Sequence, residues 1–143
     1  MGFDYCHLGG EENEINYINK FKELYSNGVL IPEGIIIHFK MIPDSEITHV
    51  WRGGQQGPFN FDRAVRISWI KEILENRNKR VVKYNLKKRS VYFLSEKIGK
   101  RTYWAVRCIY EKHNKQYRFL TAFLLKPKQR EKYLKWPNYN FKK

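Results

Sequence analysis

Two long runs in the last third of the chain constrain the fold most. Thr102–Tyr110 and Gln116–Leu125 are rich in aromatic and β-branched residues, and only the polar stretch Glu111–Lys115 divides them. That spacing predicts a β-hairpin. Two strands of this length must bury at least one face, so the rest of the chain has to supply a cover. More strand-like sequence comes just before. Lys79–Asn85 and Ser90–Ser95 flank a basic turn, Leu86–Arg89, and a turn containing Gly99 leads into the hairpin. Four strands at hairpin spacing predict an antiparallel meander.

The cover is expected from upstream helices. In Glu11–Ser26 the residues Ile15, Ile18, Phe21 and Tyr25 recur every three or four positions and form one apolar stripe. Acids fill the first turn, and Asn27-Gly28 ends the segment. Asp62 is the expected N-cap of a second helix, Arg63–Asn76, with Val65, Trp69, Ile70, Ile73 and Leu74 on its buried side. Between the helices, Val29–Ile31 reads as a turn, residues 34–42 as a strand, Pro43–Glu46 as a break and Arg52–Asn60 as a loop. Residues 126–143 form a basic arm whose Tyr133, Leu134 and Trp136 are expected to pack back. The predicted fold is α+β, with N-terminal helices on a four-stranded antiparallel meander. The 143 residues suit one domain, divided into an acidic segment 1–46, a core 47–125 and the arm 126–143.

Charge is divided along the chain. Residues 1–62 hold four basic residues against nine acids, a balance of −5; residues 63–143 hold 24 against five, +19. So concentrated a positive charge repels itself unless an anion screens it, and nucleic acid is the expected partner. A solvated lysine-rich surface is the alternative. No apolar run is long enough to span a bilayer and no secretory leader is evident, so the expected location is the cytoplasm, without membrane contact. Two cysteines cannot build a disulfide framework. His7, His38, His49 and His113 are scattered and carboxylates are scarce, so neither a metal site nor a cofactor is expected.

Alternation along the hairpin strands sorts their side chains by face. Tyr103, Ala105, Arg107 and Ile109 share one face of the first strand. In the second, Tyr117, Phe119, Thr121, Phe123 and Leu125 are expected to share a face, opposite Arg118. A mid-strand arginine is costly to bury alone, so Arg107 and Arg118 either reach a wet face or pair with Glu96 or Glu111. A wet face with arginine, tyrosine and threonine suits phosphate oxygens and unpaired bases.

Three stretches carry a family resemblance: Thr48-His49-Val-Trp51-Arg52-Gly-Gly, Arg63-Ala-Val-Arg66-Ile-Ser-Trp69-Ile, and a meander ending Tyr117-Arg118-Phe-Leu-Thr121-Ala-Phe. In this order they resemble prophage and toxin members of the barnase–EndoU–colicin–RelE-like RNase superfamily, over about residues 47–125. The resemblance implies a four-stranded sheet on helices and metal-independent RNA cleavage on the open sheet face, by attack of the 2′-OH on the phosphodiester. It also implies an acidic immunity or antitoxin partner, and delivery into a target cell for a toxin. His49 matches the family's loop histidine, Arg66 and Arg107 its phosphate-holding positions, and Thr121 the hydroxyl of its last strand. The carboxylate base of some members has no match, and Gln55-Gln56-Gly57 stands where EndoU-like members carry a second histidine.

The candidate catalytic set is therefore His49, Arg66, Arg107, Tyr117 and Thr121. Candidate backbone contacts are Arg63, Lys83, Lys87, Lys88, Arg89 and Arg118. Ordinary roles stand beside these. His49 also reads as a surface histidine, Tyr92 and Tyr117 as half-buried packing, and Arg63 and Arg66 as partners of Asp62. His38, in an Ile-rich strand, reads as structural. A non-catalytic nucleic-acid-binding module and a phage host-interaction protein are the alternatives to the nuclease.

Overall fold

A computed structural model describes residues 4–40, 44–52, 57–83, 89–95 and 103–141. The predicted meander is present: β3 (Arg80–Lys83), β4 (Ser90–Leu94), β5 (Tyr103–Glu111) and β6 (Gln116–Leu125) pair antiparallel in chain order. The sheet does not stop there. β2 (Ile36–His38) joins β6 in parallel, and β1 (Val29–Leu30) pairs antiparallel with β2, so the sheet is mixed and six-stranded, in the order β1-β2-β6-β5-β4-β3. The expected turn at 29–31 thus contains the edge strand of that sheet, and of the strand expected over 34–42 the described part, 34–40, holds three strand residues, while 41 and 42 lie outside the described residues. Gly28, at φ +74°, makes this entry possible, because a Cβ there would lie 2.9 Å from the Ile37 carbonyl oxygen.

One face of the sheet is covered by helices. α1 (Glu14–Tyr25) follows a short 3-10 turn, Glu11–Asn13. Its buried residues are Tyr17, Ile18, Phe21 and Tyr25. Ile15, expected in that stripe, is exposed, and Tyr17 takes the inner position. The expected break at Pro43–Glu46 is wrong over its described part: Asp44–Arg52 forms α2. Asp44 and Glu46 favour its positive N-terminus, and Ile47, Val50 and Trp51 are buried at i, i+3, i+4 spacing.

The helix expected as one piece over 63–76 is two, α3 (Phe61–Ala64) and α4 (Ile67–Glu75). Asn60, not Asp62, caps α3, its Oδ1 accepting from the Arg63 amide at 3.1 Å. These helices share one apolar core with Val91, Phe93, Trp104, Val106, Cys108, Tyr117, Phe119 and Ala122 of the sheet.

The opposite face is half covered. α5 (Pro127–Leu134) and the turn after it lay Tyr133, Leu134 and Trp136 on a second, smaller cluster of Val82, Leu94, Ala105 and Leu125. Arg130 ties α5 down, donating twice to the Ser95 carbonyl and lying 4.5 Å over the Tyr103 ring. The chain then runs beside β3. The Lys83 amide bonds to the Pro137 carbonyl, the Tyr139 amide bonds to the Val81 carbonyl, and Asn138 bridges to Val82. The segments 1–46, 47–125 and 126–143 therefore contribute to a single sheet and its covers.

A β-bulge corrects the expected side-chain order of β6. Cys108 faces Phe119, but the next residue of β5, Arg107, faces Thr121, leaving Leu120 as the extra residue. Tyr117 and Phe119 therefore point to the helices, while Thr121, Phe123 and Leu125 point away from them.

Candidate nucleic-acid interface

The open half of the sheet is built from three adjacent strands. Tyr92 of β4, Arg107 of β5 and Thr121 of β6 form one row, and Ser90, Ile109 and Arg118 form the next. Alternation sends all six to the face away from the helices. The bulge brings Thr121 there; without it, Thr121 would face the core with Phe119. In the parallel register His38 stands beside Arg118 and shares its face, while Ile37 enters the core beside Tyr117.

Arg107 is half-buried and braced on two sides. Its Nε donates to Ser90 Oγ at 3.0 Å, and its guanidinium lies 5.8 Å from the Tyr92 ring centroid. Its two terminal nitrogens find no acceptor, and no carboxylate lies within ion-pair distance, among the described residues. Tyr133 borders this group. Burial pushes its phenol up, the Tyr92 phenol adds to this, and the Arg107 charge partly offsets it. Its ring stacks on Trp136 at 4.1 Å and meets Tyr92 edge-on at 5.4 Å.

At the rim, Glu111 is shared by two cations. Lys40 Nζ lies 3.3 Å from one carboxylate oxygen, and Arg118 Nε donates to the other at 3.2 Å. Burial pushes the Glu111 carboxyl up, but hydrogen bonds from Asn114, Lys40 and Arg118 together outweigh it and hold it below the ordinary range. Two cations, Arg118 and Lys40, thus share one carboxylate, while Arg107 on the same face pairs with none among the described residues.

The five candidate catalytic residues do not come together. Arg107 and Thr121 are cross-strand partners on the open face. His49, Arg66 and Tyr117 lie on the helical side of the sheet. His49 is on α2, its Nε2 buried without a hydrogen-bond partner among the described residues. Arg66, between α3 and α4, donates to the Asp62 carbonyl at 2.6 Å and sits over the Tyr5 and Trp69 rings. Tyr117 is buried, and its hydroxyl is 2.5 Å from that of Tyr139, so its role here is packing.

The expected backbone contacts also divide. Arg118 is on the open face, whereas Lys83 faces the helices, since its partner Val91 is core. Arg63 is on α3, where burial lowers its pKa. Arg89 is exposed just before β4, and Lys87 and Lys88 lie outside the described residues.

Of the open face, the sequence does not single out Ser90, it marks Tyr133 only as a residue that packs back, and it gives His38 a structural role. Strand alternation reveals Ser90 only once the register is known. His38 is legible only through a parallel pairing between segments far apart in the chain.

Among the described residues, no three His, Cys, Asp or Glu side chains cluster to hold a metal, and no helix is long and apolar enough to cross a membrane. The chain matches no family model, and no curated protein or solved structure is significantly similar to it.

Proposed function

We propose that the protein binds RNA, holding the backbone of an unpaired stretch on the open half of its sheet around Arg107. The supporting observation is the state of Arg107. Its guanidinium is fixed by Ser90 and Tyr92, yet its terminal nitrogens have no acceptor among the described residues, so a planar fork is pre-set for a phosphate. The intermediate exposure of Tyr92, Tyr133 and Thr121 leaves ring and hydroxyl surface beside it. The test is fluorescence anisotropy with a labelled single-stranded RNA across a salt series. The logarithm of affinity should fall linearly with log salt, and affinity should drop roughly a hundredfold in Arg107→Ala. Salt-independent binding, or no binding, refutes the reading.

A second reading is metal-independent RNA cleavage on the same face, as in a prophage or toxin RNase of the superfamily the sequence resembles. Its support is that His38, Arg107 and Thr121 share one face. An imidazole there suits removal of the 2′-OH proton, and the guanidinium suits the charge that develops on phosphorus. The 2′ oxygen would bond to phosphorus while the 5′ oxygen leaves and takes up the proton that the imidazole removed, giving a cyclic phosphate, a 5′-hydroxyl and a neutral imidazole again. An acidic protein able to cover this face would neutralise it. Incubating the protein with labelled tRNA or total RNA in EDTA tests this. Cleavage should vanish in His38→Ala; binding without scission leaves the first reading alone.

A further inference from the structure

A second aromatic surface lies on the helical side. Among the described residues, Tyr5 and Phe61 are the large aromatics that stand most exposed, at 49% and 45%. They belong to one ladder. Phe61 is 6.3 Å from the His7 ring, His7 is 5.6 Å from Tyr5, and Tyr5 is 5.3 Å from the buried Trp69. The three pairs are tilted, and among the described residues no parallel neighbour covers the Tyr5, His7 or Phe61 ring. The ladder is built, not a frayed end. Ser68 Oγ and Trp69 Nε1 both donate to the Asp4 carbonyl, and the Cys6 amide donates to the Val65 carbonyl at 2.7 Å. The Arg66 guanidinium lies 5.2 Å from Tyr5 and 4.7 Å from Trp69, and holds the two rings together. Arg63, one turn before Arg66, is half-buried with no carboxylate partner among the described residues, a charge that calls for an outside anion.

We infer that this ladder is a second contact for the same RNA, stacking unpaired bases on Tyr5, His7 and Phe61 while Arg63 meets a phosphate. The inference rests on the RNA-binding reading above. An aromatic stacking surface together with a cation that has no carboxylate partner among the described residues fits an anion that carries flat rings. The ladder is on the opposite side of the sheet from Arg107, so one strand reaches both contacts only by passing round the molecule. Length dependence follows.

The experiment measures affinity for single-stranded RNAs of about 5 and about 20 nucleotides, with wild type, Tyr5→Ala/Phe61→Ala and Arg107→Ala. Both substituted rings are exposed, so the double variant should keep the wild-type circular dichroism and melting point; Tyr5→Phe, which keeps the ring, is the second variant. The double variant is expected to bind the long RNA roughly tenfold or more weakly, and the short RNA as wild type does. Tyr5→Phe should match wild type, and Arg107→Ala should weaken both lengths. Equal binding of the long RNA by wild type and double variant overturns the ladder alone, including the case where the surface docks a protein instead. Failure of wild type to bind either length overturns the RNA reading, and the ladder with it.

Discussion

Arg107→Ala is the substitution that weighs most on the proposed site. Inside the protein it removes one hydrogen bond, to Ser90 Oγ, and a ring contact with Tyr92. The stability cost should be small, about 1 kcal/mol. For RNA the cost is larger, because two terminal nitrogens are lost as donors to a charged acceptor. Such bonds contribute about 1.5–3 kcal/mol each, so two give at least about 3 kcal/mol, or roughly a hundredfold in Kd. One fewer phosphate neutralised should also lower the slope of log K against log salt by about 0.7 for a single strand. Arg107→Lys keeps the charge and loses the fork, so it should restore the slope without restoring the full affinity. Arg118→Ala should change the slope less, because Glu111 already offsets that charge. Anisotropy titrations at four salt concentrations, with melting curves as a check on folding, measure all of these. An Arg107→Ala protein that is folded, binds within about threefold of wild type and keeps its slope would refute the reasoning.

Other outcomes follow from the same contacts. Tyr117→Phe should remove the hydroxyl contact with Tyr139, cost about 1 kcal/mol in a denaturant melt and leave RNA affinity unchanged; a loss of affinity would put Tyr117 back in the site. Lys79→Met should cost about 1.5–3 kcal/mol, because its buried ammonium bonds to both Glu33 oxygens and the Asn76 carbonyl, while the Glu33 carboxylate left behind, with its side chain 34% exposed, is solvated by water. Thermal unfolding will register it, and an unchanged melting point would mean the pair contributes nothing.

Acid should destabilise the fold through Glu14 and Glu111. A hydrogen bond from Arg52, with a further one from Trp51, lowers the Glu14 pKa against the effect of burial, and Glu111 is lowered as described. Both folded pKa values lie below the unfolded ones. Their stabilisation is therefore present above about pH 4.3 and is lost as pH falls through the folded values. Urea melts from about pH 6 down to about pH 3 should show this loss, and Glu14→Gln/Glu111→Gln should flatten it. An equally steep loss in the double variant would assign it elsewhere.

Local patterns reported local structure well. The β5–β6 hairpin, the meander and, apart from Ile15, the predicted buried residues of α1 and α4 follow from apolar spacing, because each spacing is satisfied by neighbours close in the chain. α2 was hidden by its first turn: Asp44-Ser45-Glu46 reads as a break after a proline, although the same residues suit a helix N-terminus. The bulge at Leu120 left no mark, since Tyr117, Phe119, Thr121, Phe123 and Leu125 alternate without a glycine or proline to interrupt them. That single extra residue decides which face carries Thr121. The candidate site was half legible for a related reason. Arg107 stood out as a charge in an apolar strand, but grouping it with His49 and Arg66 followed their order in the sequence, and a sheet separates them.

The order in which the sheet is assembled bears on how fast the protein folds. β5 and β6 meet across a turn of four residues and can pair within microseconds, as hairpins do. The two outer pairings cannot. Ile37 must find Tyr117, and Val82 must find Asn138, each across a long intervening loop whose closure entropy is lost before the contact stabilises anything. The hairpin is thus the natural nucleus, and both margins of the sheet should form late. A substitution at the Val82–Asn138 margin should leave the folding rate nearly unchanged and speed unfolding, whereas one within β5 should slow folding.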